Sequence, residues 1–391
     1  LTLVIANRGI RTFGYGFVSV LLGIYLSLLG ASDGQVILAL GVSLASGAGL
    51  NILVGRYGDR YGRRRAMVLF GLTMTASGLV LGLAPSFGLA LVALLLGSVS
   101  PTGTEVGPFL SLEQSVVAEA VEPARRARAF ALYNLLGAFA GAAGALASGL
   151  PTFLLGAAPM TADPLRPMFI LYAVLGVVAA GLGRALPRKV EVAEDRASTP
   201  LTAESRVRVA RIAGLFAVDS FAGGFIIQSF VAFWFYVTFP ESREILGPIF
   251  FASGVLTALS FLAAARLSER IGLLETMVFT HLPSNVLLIL VPLAPTFPLA
   301  LGLYLGRNAL SQMDVPTRQA YLAGIVAREE RTTANATTNA TRSLAHAGGP
   351  FAAGALVPLL GLAFPFFAGG GLKILYDLTL YAIFRKVRPD T

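Results

Sequence analysis

Nine ionisable side chains interrupt long apolar stretches of this sequence: Arg11, Glu105, Glu113, Asp219, Arg307, Asp314, Arg318, Lys373 and Asp377. A charge in hydrocarbon is expensive, so such residues are expected to be paired or to act on a solute or proton. A carboxylate kept from water can carry a proton near neutral pH. Glu105, Asp219 and Asp314 are therefore candidate proton carriers. Glu105 lies in a stretch interrupted by Pro101, Gly103 and Pro108, where proline bends a helix and frees backbone carbonyls. Arg307 could hold an anionic substrate or neutralise Asp314. Asp314 and Arg318 are spaced i,i+4 and can pair along one helix face, as can Lys373 and Asp377. For Lys373 and Asp377 a buried structural pair is expected. His346, beside glycines, is expected to pack and bond to a neighbouring helix.

The elements that position these residues follow from composition. Of 391 residues, 55% are hydrophobic and 13% charged, about half the charged share of a soluble domain. Mean hydropathy is +0.74. There is too little charge for the polar skin of a soluble protein this long. Apolar runs bounded by turns or charges cover 9–30, 35–55, 66–84, 88–118, 128–150, 168–186, 209–237, 246–265, 273–293, 297–324, 333–357 and 360–384. They predict twelve spans, each close to the ~20 residues that cross a bilayer. The spans must be helices, because lipid cannot satisfy a free backbone and no barrel alternation is present. The first run, with Arg8 at its edge and Arg11 inside it, continues through Gly30, so it reads as a first span and not a cleaved signal. The aromatic run Phe230, Phe233, Trp234, Phe235 and Tyr236 reads as an interfacial belt.

Several function classes are excluded. Cysteine is absent, which removes disulfides, thiolate metal sites and cysteine nucleophiles. Two histidines, His281 and His346, cannot build a histidine-rich metal centre. No phosphate-binding G-x-x-x-x-G-K-[ST] loop, H-E-x-x-H or G-x-S-x-G pattern occurs, so ATP-driven transport and intramembrane hydrolysis lack their motifs. Neither an enzyme, a cofactor nor a metal is expected. The net charge is +9. In a chain of spans this reflects the positive-inside rule, not a nucleic-acid partner. Alternate loops hold Arg56, Arg60, Arg63, Arg64, Arg65, then Arg125, Arg126 and Arg128, then Arg188 to Arg208, Arg266 and Arg270, Arg328 and Arg331, and a basic tail. The opposite loops offer Arg166 and Arg243. The basic side is cytosolic, which puts both termini in the cytosol.

The halves repeat. A polar interruption at 187–208 separates residues 1–186 from 209–391 and reads as a cytosolic linker between two six-helix bundles. A shift of 210 pairs Asp59 with Glu269, Arg60 with Arg270 and Gly62 with Gly272. A shift of 205 pairs Gln114 with Gln319, Arg126 with Arg331 and Gly144 with Gly349. A shift of 208 pairs Phe13 with Phe221 and Gly16 with Gly224. The same shifts set Arg11 against Asp219 and Glu113 against Arg318, two equivalences in which the charge is exchanged. Glu105 falls near Asp314 at a shift of 209. Parallel repeats of this kind are a transporter design.

At this point the sequence resembles the major facilitator superfamily of secondary transporters. Gly55, Asp59, Arg60, Gly62, Arg63 and Arg64 fit its G-x-x-x-D-[RK]-x-G-[RK]-[RK] loop between spans two and three. A decayed copy runs from Ala265 to Gly272. Glu119, seven residues before Arg126, matches a second shared pattern. The Gly-Pro of the family's antiporter signature is missing from span five, which has Gly141 and Gly144. A Gly349-Pro350 pair stands in span eleven instead. The resemblance implies that Asp59 meets the N-terminus of span eleven as a cytosolic latch tuned by Arg60 and Glu119. Physically, an acid near a helix N-terminus is favoured, and Gly55, Gly58 and Gly62 permit a tight turn. The resemblance also implies that spans one, four, seven and ten line a central cavity.

The expected protein is therefore an all-α, twelve-helix transporter of two pseudo-symmetric bundles, set in a cell (plasma) membrane and working by alternating access. Its partners would be a small molecule or ion, protons and the lipid bilayer, with a monomer as the working unit. The alternatives are an uncoupled facilitator and a multidrug/proton antiporter of the same fold.

Overall fold

A computed structural model describes residues 2–104, 109, 112, 113, 116, 117, 121, 122, 126–156, 160–187, 201–324 and 330–385. The described residues form helices and no strand. In chain order these are α1 (Thr2–Leu28), α2 (Asp33–Tyr61), α3 (Arg63–Leu83), α4 (Phe87–Leu95), α5 (Arg126–Ala147), α6 (Leu150–Leu155), α7 (Arg166–Ala185) and α8 (Ala203–Gly224). They continue as α9 (Gln228–Thr238), α10 (Leu246–Ile271), α11 (Leu273–Leu290), α12 (Phe297–Leu310), α13 (Asp314–Gly324), α14 (Arg331–Leu360) and α15 (Phe364–Phe384).

Among the described residues, nine helical stretches are long and apolar enough to cross a membrane. They correspond to expected spans one to three, five to nine and eleven. Span twelve is α15, which carries Lys373 and Asp377. Spans four and ten, which are repeat equivalents, are both broken. The fourth leaves helix after Leu95, and the tenth is interrupted at 311–313 between α12 and α13. Span seven also breaks, at 225–227 between α8 and α9.

A broken helix inside lipid must find partners for its freed carbonyls. Around 98–104 the structure provides them. Tyr172 OH donates to Ser98 O, Ser43 Oγ donates to Val99 O at 2.9 Å, and Ser229 N donates to Pro101 O at 3.0 Å. Ser100 Oγ donates to Thr104 O at 2.6 Å.

Packing divides the chain into two compact units, residues 1–195 with 227–254, and residues 196–226 with 255–391. Residues 188–200 of the expected linker lie outside the described residues, and α8 begins at Ala203, inside the 187–208 interval. In the first unit α1 packs on α5 and α3 on α7; in the second α8 packs on α14. Glycine makes these approaches possible. A Cβ on Gly144 would collide with Phe13 O, and one on Gly349 with Phe221 O. A Cβ on Gly16 would strike Gly141 O, and one on Gly224 would strike His346 O. These contacts are repeat equivalents, so each unit closes its helix pair at the same points.

Two expectations from the sequence change. The signature glycines do not share one turn: Gly55 and Gly58 fall within α2, and the turn is made by Gly62 alone, at φ 98°. Its repeat equivalent Gly272 has φ 99°, a left-handed conformation that glycine adopts without Cβ strain. The aromatic run is not an interfacial belt. Phe230, Phe233, Trp234, Phe235 and Tyr236 are all buried, and Phe233 packs where Gly23 leaves room on α1.

Candidate functional site

Among the described residues, each unit holds a buried ion network built from helices far apart in sequence. In the first unit, Arg11 on α1 and Glu113 are both 0% exposed. Arg11 Nη1 donates to Glu113 Oε1 at 2.7 Å and Nη2 to Oε2 at 3.0 Å. This two-pronged geometry is what the planar guanidinium favours. Asn7, one helical turn before Arg11, accepts from it through Oδ1 and donates through Nδ2 to Ala179 O at 3.0 Å. Tyr133 OH donates to Glu113 Oε2 at 2.8 Å and itself accepts from Arg8 Nη1 at 2.8 Å. The guanidinium of Arg11 lies 3.8 Å from the Phe109 ring centre. Both charges are thus paired and further hydrogen-bonded, the condition under which a buried pair is tolerated.

In the second unit the network centres on Asp219 of α8. Lys373 Nζ donates to Asp219 Oδ1 at 2.5 Å. Arg318 Nη1 donates to Asp314 Oδ2 at 2.8 Å and reaches Asp219 Oδ2 at 3.5 Å. His281 Nδ1 lies 2.9 Å from Asp377 Oδ1, and its Nε2 lies 4.0 Å from Asp219 Oδ1. Asn285 Nδ2 donates to Asp377 Oδ2 at 3.0 Å. On α14, Arg342 Nε donates to Ser220 Oγ at 3.0 Å, and His346 Nδ1 approaches Ser220 O at 3.0 Å. The network gathers acids and bases from five helices, α8, α11, α13, α14 and α15.

The expected Lys373–Asp377 pair does not form. Lys373 takes Asp219, and Asp377 takes His281 and Asn285. The i,i+4 spacing allows the pair, but partners on facing helices satisfy each charge more fully. Arg307 does not neutralise Asp314, which is held by Arg318. Arg307 Nη1 donates to Asn308 Oδ1 at 3.2 Å, and among the described residues its Nε has no hydrogen-bond partner.

Glu105 and Glu119 lie outside the described residues, as do the side chains of Gly55, Asp59, Arg60 and Arg126. Gly62 caps α3, Arg63 is buried at its first turn and Arg64 is half-buried. The residues overlooked in the sequence are His281, Asn285, Arg342 and Tyr133. His281, Ser284 and Asn285 form a polar stripe at i, i+3 and i+4 in the middle of α11, and that spacing was a usable signal. Tyr133 offered none, since a tyrosine in an apolar helix is unremarkable.

The exchange of charge between repeat positions therefore acts within each unit. Arg11–Glu113 closes the first network and Asp219–Arg318 bridges the second. A helical membrane protein built from two such units, each bracing buried charges across broken spans, has the organisation of a secondary transporter. The family model of the Major Facilitator Superfamily matches residues 5–310. The chain belongs to that superfamily. An uncharacterised membrane protein of Saccharomyces cerevisiae, YJR124C, is 26% identical over 419 residues, covering 98% of this chain and 93% of the relative. Among solved structures, this superfamily member is similar to the human organic anion transporter MFSD10, at 18% identity with a TM-score of 0.64, covering 97% of this chain and 98% of that one. It is also similar to the xylose transporter XylE of E. coli in an inward-open conformation, at 16% identity with a TM-score of 0.73, covering 100% and 96%. These likenesses establish the fold of a multi-pass membrane transporter.

Proposed function

We propose that the protein is a proton-coupled secondary transporter that carries a small solute by alternating access between two six-helix halves. The observation that carries this reading is the second network. Asp219 is shared by Lys373 and Arg318 and faced by His281. A charge shared among several partners can change hands when a proton arrives or leaves, whereas a fully saturated pair resists it. The first network, with Arg11 two-pronged on Glu113 and Tyr133 on the same carboxylate, braces its unit. Glu105 remains a carrier candidate from its place in the proline-broken span. Arg307 is the candidate contact for an anionic group on the solute. Both termini are cytosolic, the protein works as a monomer in the plasma membrane, and Asp59, Arg60 and Glu119 form the cytosolic latch.

The test begins with a thermal-shift panel of pentoses, nucleosides, organic acids and cationic drugs, because a true ligand stabilises by mass action. The stabilising compound is then added to vesicles holding the protein and a trapped pH indicator. Coupled transport moves protons with the solute. Solute flux without proton movement identifies an uncoupled facilitator instead.

A further inference from the structure

We infer that His281 is a proton-binding site of the second unit, and that a proton on its Nε2 displaces Lys373 from Asp219. The purpose of the site rests on the proton-coupled reading above; its geometry does not. His281 stands between two carboxylates. Its Nδ1 is 2.9 Å from Asp377 Oδ1 and its Nε2 is 4.0 Å from Asp219 Oδ1. A carboxylate at Nδ1 places the neutral ring's proton there and leaves the Nε2 lone pair as the basic position. At 4.0 Å that nitrogen is beyond hydrogen-bond distance of Asp219.

The oxygen that Nε2 faces is already in use. Asp219 Oδ1 accepts from Lys373 Nζ at 2.5 Å, while Oδ2 is held toward Arg318 at 3.5 Å. A proton on Nε2 gives Asp219 Oδ1 a second cationic suitor. The charges around the cluster limit how many cations it can hold. Arg318 and Asp314 come from α13, Arg342 and His346 from α14, Arg307 and Tyr304 from α12, and Lys373, Tyr376 and Asp377 from α15; all stand within electrostatic reach of Asp219 or of a group that is. Set against the three carboxylates Asp219, Asp314 and Asp377 are Arg307, Arg318, Arg342 and Lys373, so an imidazolium adds to a positive excess.

Lys373 is the cation that yields. Its ammonium sits on a flexible four-carbon stem, whereas Arg318 is fixed by its geometry on Asp314. Gly223 lies beside it: a Cβ there would make ordinary contact with Lys373 Nζ at 3.8 Å and with His346 Nδ1 at 3.6 Å. Once released, the ammonium can turn to Asp377, four residues on, or to an anionic group of the solute. The proton is thereby exchanged for a mobile positive charge, the kind of event that links protonation to solute binding.

Protons are the only probe the test needs, and the sequence makes it specific. The chain has two histidines and three lysines, so histidine and lysine labelled with nitrogen-15 give few resonances from the intact protein. His346→Gln assigns His281, with His281→Gln as the alternative if that variant folds poorly. The expected result is a neutral His281 ring with its proton on Nδ1 and a second proton taken up at Nε2 as the solution is acidified. The Lys373 Nζ resonance should move with the same midpoint. In Lys373→Met the protonated ring meets Asp219 with no ammonium to displace, so its Nε2 resonance should shift from that of the unmodified protein. A neutral ring protonated at Nε2, no proton uptake by the ring on acidification, or a Lys373 resonance indifferent to that uptake overturns the inference. Solute-driven proton movement is a separate readout. Its absence from the unmodified protein removes the coupled reading and leaves the proton site standing.

Discussion

Arg11 donates two hydrogen bonds to Glu113, at 2.7 and 3.0 Å, and at the equivalent positions of the second half Asp219 and Arg318 stand 3.5 Å apart with acid and base exchanged. Duplication conserved the juxtaposition while the signs reversed. The reason is physical: either arrangement neutralises a buried charge, but a mixed one would oppose two like charges in hydrocarbon.

Breaking the first pair should be costly. Glu113→Ala removes the buried carboxylate that takes two hydrogen bonds from Arg11 and one from Tyr133, a loss of about 3–5 kcal/mol. The expected result is a sharp fall in detergent-stable protein, read by thermal unfolding. Exchanging the charges, Arg11→Glu with Glu113→Arg, should recover part of that loss, as the second half already tolerates the reversed order. Double-variant stability no better than that of the worse single variant would refute the pairing.

The close helix contacts should tolerate no side chain. Gly144→Val and Gly349→Val each drive atoms into a facing carbonyl, Phe13 O and Phe221 O respectively. Overpacking of this kind costs about 1–3 kcal/mol. Gly181→Ala, where a Cβ meets nothing within 4 Å, is the control and should melt like the unmodified protein.

Gly62 and Gly272 occupy left-handed backbone at φ 98° and 99°. Alanine at either should destabilise by about 1–2 kcal/mol through Cβ strain. Gly58→Ala, inside α2, should lack this strain. Equal losses at all three positions would mean that the turn geometry is not the cause.

Asp59→Asn should weaken the proposed cytosolic latch and favour the inward-open state. A charge–dipole contact is worth about 0.3–2 kcal/mol, enough to shift a balanced equilibrium several-fold. The chain has no cysteine, so a single reporter cysteine in a cytosolic loop measures the change directly. Unchanged labelling rates in the variant would end the latch idea.

Proton coupling through Glu105 can be separated from coupling through the Asp219 network. Glu105→Gln keeps the shape and removes the titration, so gradient-driven accumulation should fail while solute binding persists if Glu105 is the carrier. Wild-type flux and pH dependence in that variant would place coupling elsewhere, and His281→Gln is then the variant expected to uncouple.

Much of this protein was legible without its structure. Span positions follow from hydropathy, and helicity follows from the lack of hydrogen-bond partners in lipid; both are properties of a single segment. The repeat was equally visible, because Gly16, Gly62, Gly144 and their partners recur at nearly constant shifts. Even the exchanged charges at residues 11, 113, 219 and 318 could be aligned in advance. What tertiary structure alone decided was who pairs with whom. Lys373 meets Asp219, 154 residues away, instead of Asp377 on its own helix, and His281 meets Asp377 across 96 residues. Such choices depend on how deeply each helix sits and which way it is rotated against its neighbours. Those quantities are set by the summed packing of whole helices, through contacts such as Phe221 against Gly349, and no local pattern encodes them.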